Sequence, residues 1–103
     1  MSYIVNAFSL NMVASLTGSF NVNFEPIAPA DIPRDVQSGL GHDDIVYFVN
    51  KETGLSLVKN RCNNEFSHGD IFYIAQYIGP RLEEGATTLP DNSTIKYFKV
   101  TIE

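Results

Sequence analysis

Ile71-Phe72-Tyr73-Ile74-Ala75-Gln76-Tyr77-Ile78 is the strongest strand signal in the chain. It is apolar almost without a break and rich in β-branched and aromatic residues. That is the pattern of a central strand covered on both faces. Such a strand needs partners on either side and apolar cover above and below, so the rest of the chain is read for both.

Just upstream, Ser67-His68-Gly69-Asp70 reads as a turn, with His68 at the surface. Before it, Leu55-Ser56-Leu57-Val58-Lys59-Asn60-Arg61-Cys62 reads as an extended run in which Lys59 and Arg61, two apart, project to one face. Cys62 in such a run is a small core residue or, beside a histidine, a nucleophile. Downstream, Gly79-Pro80-Arg81-Leu82-Glu83-Glu84-Gly85 leaves the strand as a loop that continues through Pro90-Asp91-Asn92-Ser93. Residues 94–102 then alternate apolar and polar as a closing strand.

Toward the N-terminus, Ser38-Gly39-Leu40-Gly41-His42-Asp43-Asp44 reads as a loop feeding a helix start. Gly39 and Gly41 permit backbone approaches that a side chain forbids. Asp43 or Asp44 is expected to cap or complement the helix end. Residues 43–53 carry an apolar stripe through Ile45, Phe48 and Val49, and Gly54 is a natural stop. Residues 3–10 read as a strand whose apolar start, Tyr3-Ile4-Val5, suits a central position. Thr17-Gly18-Ser19 is a turn, residues 20–24 alternate as a half-exposed strand, and Pro26 is expected to stop it. Pro29 and Pro33 restrict residues 31–36 to one or two helical turns.

The expected fold is α+β: one compact domain over residues 1–103, with about five strands in a mixed sheet flanked by about two helices. Its edge strands invite pairing in a homodimer. At 103 residues the chain can bury one core without staples. Its single cysteine excludes an internal disulfide, and the opening residues lack the pattern of a secretory signal. No apolar run reaches the roughly 20 residues of a membrane span. A cytoplasmic protein is expected. The formal charge of −5 argues against sequence-independent binding of long nucleic acid, which needs a basic face. A small anionic ligand remains open, because a few cations can focus potential in a cleft.

The residues that could do chemistry are scattered. His42 sits where helix N–H groups point outward, a ready place for a phosphate, and it could act as an acid or base near neutral pH. Asn6, Ser9 and Asn11, just past a strand end, could line a ligand or serve turn chemistry. Arg81 offers a planar fork for phosphate, and Glu84 could orient a sugar hydroxyl, a water or that arginine; a surface ion pair is the simpler reading. His42 and His68 have no ligand spacing, so no metal and no cofactor are expected. One chemistry uses the set together. Phosphodiester cleavage in RNA needs no metal when the ribose 2′-hydroxyl attacks its own phosphate. Arginines and backbone N–H groups then stabilise the charge, and a histidine protonates the leaving oxygen.

Tyr3-Ile4-Val5-Asn6-Ala7-Phe8-Ser9-Leu10-Asn11-Met12, Gly41-His42-Asp43, Lys59-Asn60-Arg61 and Arg81-Leu82-Glu83-Glu84-Gly85 occur in this order. Together they resemble the viral anti-CRISPR ring nucleases that disarm type III CRISPR systems. The resemblance covers nearly the whole chain and is weakest around residues 26–33 and around Pro90. It implies a homodimer that binds cyclic tetra-adenylate at the subunit interface. It further implies metal-independent linearisation of that messenger to di-adenylate bearing a 2′,3′-cyclic phosphate. By this resemblance His42 is the general acid, with Arg81 and Glu84 in the catalytic set. Arg61, Gly41, Asn6, Ser9 and Asn11 would contact the ligand. Related sequences usually carry Ser or Thr where this chain has Asp44 and Ile45. A carboxylate there competes with a bound phosphate, which keeps open a non-catalytic cyclic-nucleotide sponge. A viral module that binds a host protein is a third alternative.

Overall fold

The computed structural model describes residues 2–61 and 64–103. Five strands form one mixed sheet: β1 (Tyr3–Val5), β2 (Val22–Ile27), β3 (Gln37–Gly39), β4 (Ile71–Ile78) and β5 (Thr94–Ile102). Their spatial order is β2-β5-β4-β1-β3. One α-helix among the described residues, α1 (Asp43–Thr53), is accompanied by short 3-10 turns at Leu10–Val13 and Pro29–Asp31. The architecture is therefore the α+β mixed sheet expected, with one α-helix and two 3-10 turns among the described residues where about two helices were expected. Cys62 lies outside the described residues.

β4 holds the middle of the sheet. It pairs parallel with β1 and antiparallel with β5 over its full length, from Ile71↔Thr101 to Ile78↔Thr94. Period-two alternation then divides its side chains between two cores. Tyr73 and Ala75 face α1 and join Ile4, Leu40, Phe48, Val49 and Tyr97. Phe72 and Ile74 face the other side and join Val5, Val13, Phe66, Val100 and Ile102. On that second side Phe72 stacks on Phe66, with ring centroids 4.1 Å apart and planes 3° from parallel. The continuous apolar run at 71–78 is thus explained by apolar cover on both faces.

Helix α1 runs as its stripe dictates, burying Ile45, Val46, Phe48 and Val49. It ends at Gly54, whose left-handed backbone (φ 76°) directs its N–H to the Asn50 carbonyl. The Arg34 guanidinium closes the same end, donating to the Thr53 carbonyl at 2.7 Å and the Gly54 carbonyl at 2.8 Å. From β5 the Tyr97 hydroxyl donates to Glu52 of the helix at 2.8 Å. No helix among the described residues is long and apolar enough to cross a membrane.

Several expectations need correction. β1 stops at Val5, because Asn6 turns its side chain to another loop and Ser9 opens a 3-10 turn. Pro26 does not stop β2. The strand starts at Val22 and continues through Pro26 to Ile27, opposite Phe98 and Tyr97 of β5. β2 is an edge strand, where a missing N–H is tolerated. The helical turn expected within residues 31–36 sits earlier, at Pro29–Asp31.

The run at 55–61 forms no strand. It is pinned to the neighbouring chain by side chains instead. Asn50 brackets Leu57 with two bonds, donating to its carbonyl at 2.9 Å and accepting from its N–H at 2.8 Å. The Ser38 hydroxyl donates to the Val58 carbonyl at 2.5 Å. Conversely, residues 37–39 form β3, although they read as a loop. Their strand character comes from pairing with β1, Tyr3↔Gln37 to Val5↔Gly39. A Cβ on Gly39 would sit 2.9 Å from Val5 Cγ1, so glycine allows this close approach.

Candidate functional site

β1, β3 and β4 run parallel, so their carboxyl ends lie at the same end of the sheet. Ligands in α/β sheets with such an arrangement favour this end. Three chain segments leave it: Asn6 after β1, Gly41 and His42 after β3, and the loop from Gly79 after β4. The last two, together with Lys59 and Arg61, enclose a cleft of about 1060 Å³, lined by Gly41, His42, Arg61, Arg81 and Glu84 among others. Five of the eight sequence-nominated residues thus share one cavity, although they span positions 41 to 84.

Each is positioned by identifiable contacts. Asn6 does not line the cleft; its Oδ1 accepts the Gly41 N–H at 2.7 Å and fixes the loop that does. Ser9 and Asn11 also lie outside the lining. The Ser9 hydroxyl caps the first 3-10 turn, accepting the Asn11 N–H at 3.3 Å. That is the turn chemistry the polar cluster also admitted. His42 is the N-cap of α1 by its extended backbone (φ −132°, ψ 125°), and its side chain makes no capping bond. Neither aspartate caps the helix. Asp43 and Asp44 instead occupy the first turn, where negative charge complements the helix dipole. The imidazole is exposed to the cleft, beside a helix end whose first N–H groups have no intrahelical acceptor.

Arg61 is anchored through one nitrogen. Its Nε donates to the Gly41 carbonyl at 3.0 Å. A Cβ on Gly41 would lie 3.1 Å from Arg61 Cγ, so the glycine leaves room for the arginine stem. The Nη groups of Arg61 and the whole Arg81 guanidinium make no hydrogen bond or ion pair among the described residues. Arg81 and Glu84 do not pair with each other. Their loop is held from below by Leu82, Ala86 and Leu89, which pack against the core on the α1 side. The Tyr77 hydroxyl, donating to the Pro80 carbonyl at 2.5 Å, fixes its start. Leu82 pointing inward leaves Arg81 and Glu84 exposed in the cleft.

Four charged cleft residues, Asp43, Asp44, Lys59 and Glu83, were not among the nominated site residues. Lys59 and Asp43 both line the cleft and form the one ion pair among the described residues, at 3.8 Å. The alternation that set Lys59 beside Arg61 was the available signal, and both do face the cleft even without a strand. Its acidic members are Asp43, Asp44, Glu83 and Glu84, and its basic ones Lys59, Arg61 and Arg81. No group of three or more His, Cys, Asp or Glu among the described residues could hold a metal ion.

No protein-family model matches the chain. No curated protein matches it either. Among solved structures, the chain is similar to B116 of Sulfolobus turreted icosahedral virus, with 26% sequence identity and a TM-score of 0.75, over 97% of each chain.

Proposed function

We propose that the chain is a metal-independent ring nuclease that opens cyclic tetra-adenylate and so silences type III CRISPR defence. The observation that carries this reading is the cleft itself. A histidine, two arginines with uncommitted donors and a free helix N-terminus converge there from distant parts of the chain. Guanidinium forks and backbone N–H groups bind phosphate and stabilise the extra charge of a phosphorane. In the proposed reaction a ribose 2′-oxygen attacks the adjacent phosphorus, orientated by Glu84, and its proton leaves to water. The bond from phosphorus to the 5′-oxygen breaks, and His42 supplies the proton that oxygen needs. Two such cleavages convert the ring to two di-adenylates, each ending in a 2′,3′-cyclic phosphate. The likeness to a viral protein is compatible with a viral origin, and thus with action in a host cytoplasm. Cleavage of a cyclic ligand across a two-fold axis would also call for a homodimer.

Asp44 favours a second reading. It lines the cleft, half-buried, in the first turn of α1, where a carboxylate competes with phosphate. A protein with that charge at its anion site could sequester the messenger without cleaving it. One experiment separates the two. Purified protein is incubated with labelled cyclic tetra-adenylate in excess EDTA, and the products are resolved over time. Several turnovers to linear product support the nuclease. Intact ligand bound in stoichiometric amount supports the sponge. Absence of both refutes the nucleotide reading and favours a host-protein partner.

A further inference from the structure

We infer that Lys59 is a further phosphate-binding cation of the cleft, held beside Asp43 until a ligand phosphate takes it over. The inference rests on the nucleotide reading above and adds a residue to that site. Lys59 reaches the cleft because the residue after it is fastened elsewhere. Asn60 donates its backbone N–H to the Leu40 carbonyl at 2.7 Å and its side-chain amide to the Ser38 carbonyl at 2.8 Å. With Asn60 tied to the β3 side, Lys59 and Arg61 are both turned to the cavity. Arg61 is further fixed through Nε, whereas among the described residues the Lys59 ammonium has only Asp43, at 3.8 Å. That separation exceeds a hydrogen bond, and the two side chains are 44% and 80% exposed. A pair so loose and so well solvated holds little energy. A phosphate, with more charge and more acceptor oxygens than one carboxylate, can displace it. Asp43 loses little by the exchange, since its charge still complements the helix N-terminus.

The two partners therefore have opposite effects on binding, which a purely structural ion pair would not produce. Affinity for labelled cyclic tetra-adenylate is measured by fluorescence polarisation in EDTA, in a His42→Ala background that keeps the ligand intact, from 50 to 300 mM salt. Lys59→Met is expected to weaken binding about tenfold at low salt and to reduce the slope of log Kd against log salt by about 0.7. Lys59→Arg is expected to restore both. Asp43→Asn is expected to tighten binding about threefold. Thermal unfolding of each variant checks that it is folded. If the parent binds and Lys59→Met binds within twofold with an unchanged slope, Lys59 does not touch phosphate. If Asp43→Asn weakens binding in step with Lys59→Met, the pair only supports the loop. Either result overturns the inference while leaving the nucleotide reading intact. Failure of the parent to bind overturns both.

Discussion

The bond from Gly41 N–H to Asn6 Oδ1, at 2.7 Å, ties the end of β1 to the loop that carries His42. Asn6→Ala removes the acceptor and leaves a half-buried N–H without its partner. The cost of stranding such a donor is about 1–2 kcal/mol. For a domain of about 100 residues, each kcal/mol moves the melting temperature by roughly 4–8 °C. Asn6→Ala should therefore melt about 4–16 °C lower than the parent. Hydrogen exchange at the Gly41 amide should accelerate about 5- to 30-fold, the population change that 1–2 kcal/mol implies. Asn6→Asp keeps an oxygen acceptor in the same place and should recover most of the loss. Differential scanning fluorimetry and amide exchange read both effects. A melting point within 1 °C of the parent, together with unchanged Gly41 exchange, would refute the argument that Asn6 fixes this loop.

His42→Ala should abolish cleavage of cyclic tetra-adenylate and leave its Kd within about threefold; loss of binding with turnover retained would remove the general-acid role. Arg34→Met should cost about 1–2 kcal/mol in urea unfolding, because the Thr53 and Gly54 carbonyls lose charged donors at the helix C-terminus. No change in unfolding midpoint would mean those contacts are idle. Burial, then the hydrogen bond and charge of Glu52, hold the Tyr97 phenol well above its ordinary value of 10.0. The folded state therefore favours the protonated phenol, so its contribution is fully present below pH 10 and is lost as pH rises beyond it. Stability should fall above about pH 10 by up to ~1.4 kcal/mol per pH unit from this group, and Tyr97→Phe should remove that share. Equal slopes for parent and Tyr97→Phe between pH 10 and 11 would contradict this account.

What the sequence made legible followed from period and from stop signals. Residues 71–78 and 94–102 show their pairing partners in their own pattern, and residues 43–53 carry both a stripe and a terminating glycine. β3 was hidden because Gln37, Ser38 and Gly39 have no strand preference of their own; their state is set by the β1 backbone alongside. The opposite happened at 55–61, where alternating residues met Asn50 and Ser38 side chains before they met another strand. Pro26 misled because its effect depends on which side of a strand faces the sheet, and one sequence does not show that. In the site, residue types were readable but distances were not. Gly41, His42, Arg61, Arg81 and Glu84 do share one cleft, whereas Asn6 and Ser9 hold backbone behind and beside it. Polar side chains at a strand end serve either purpose, and only topology separates the two.

The two margins of the sheet bear on how this chain can assemble. Asn21 and Glu103 exchange backbone bonds, so by antiparallel alternation Val22, Phe24 and Pro26 turn their backbone groups away from β5. At Pro26 that outward row lacks a donor. At the opposite margin, beyond β3, Ser38 and Asn60 tether residues 58–60 and occupy the space where another strand would dock. One border is thus interrupted and the other covered, two common safeguards against runaway strand addition. Continuous ten-stranded pairing between copies is disfavoured on both sides. If copies share a ligand as proposed, they would have to join instead through the loops around the cleft mouth, the segments that hold Arg81 and His42.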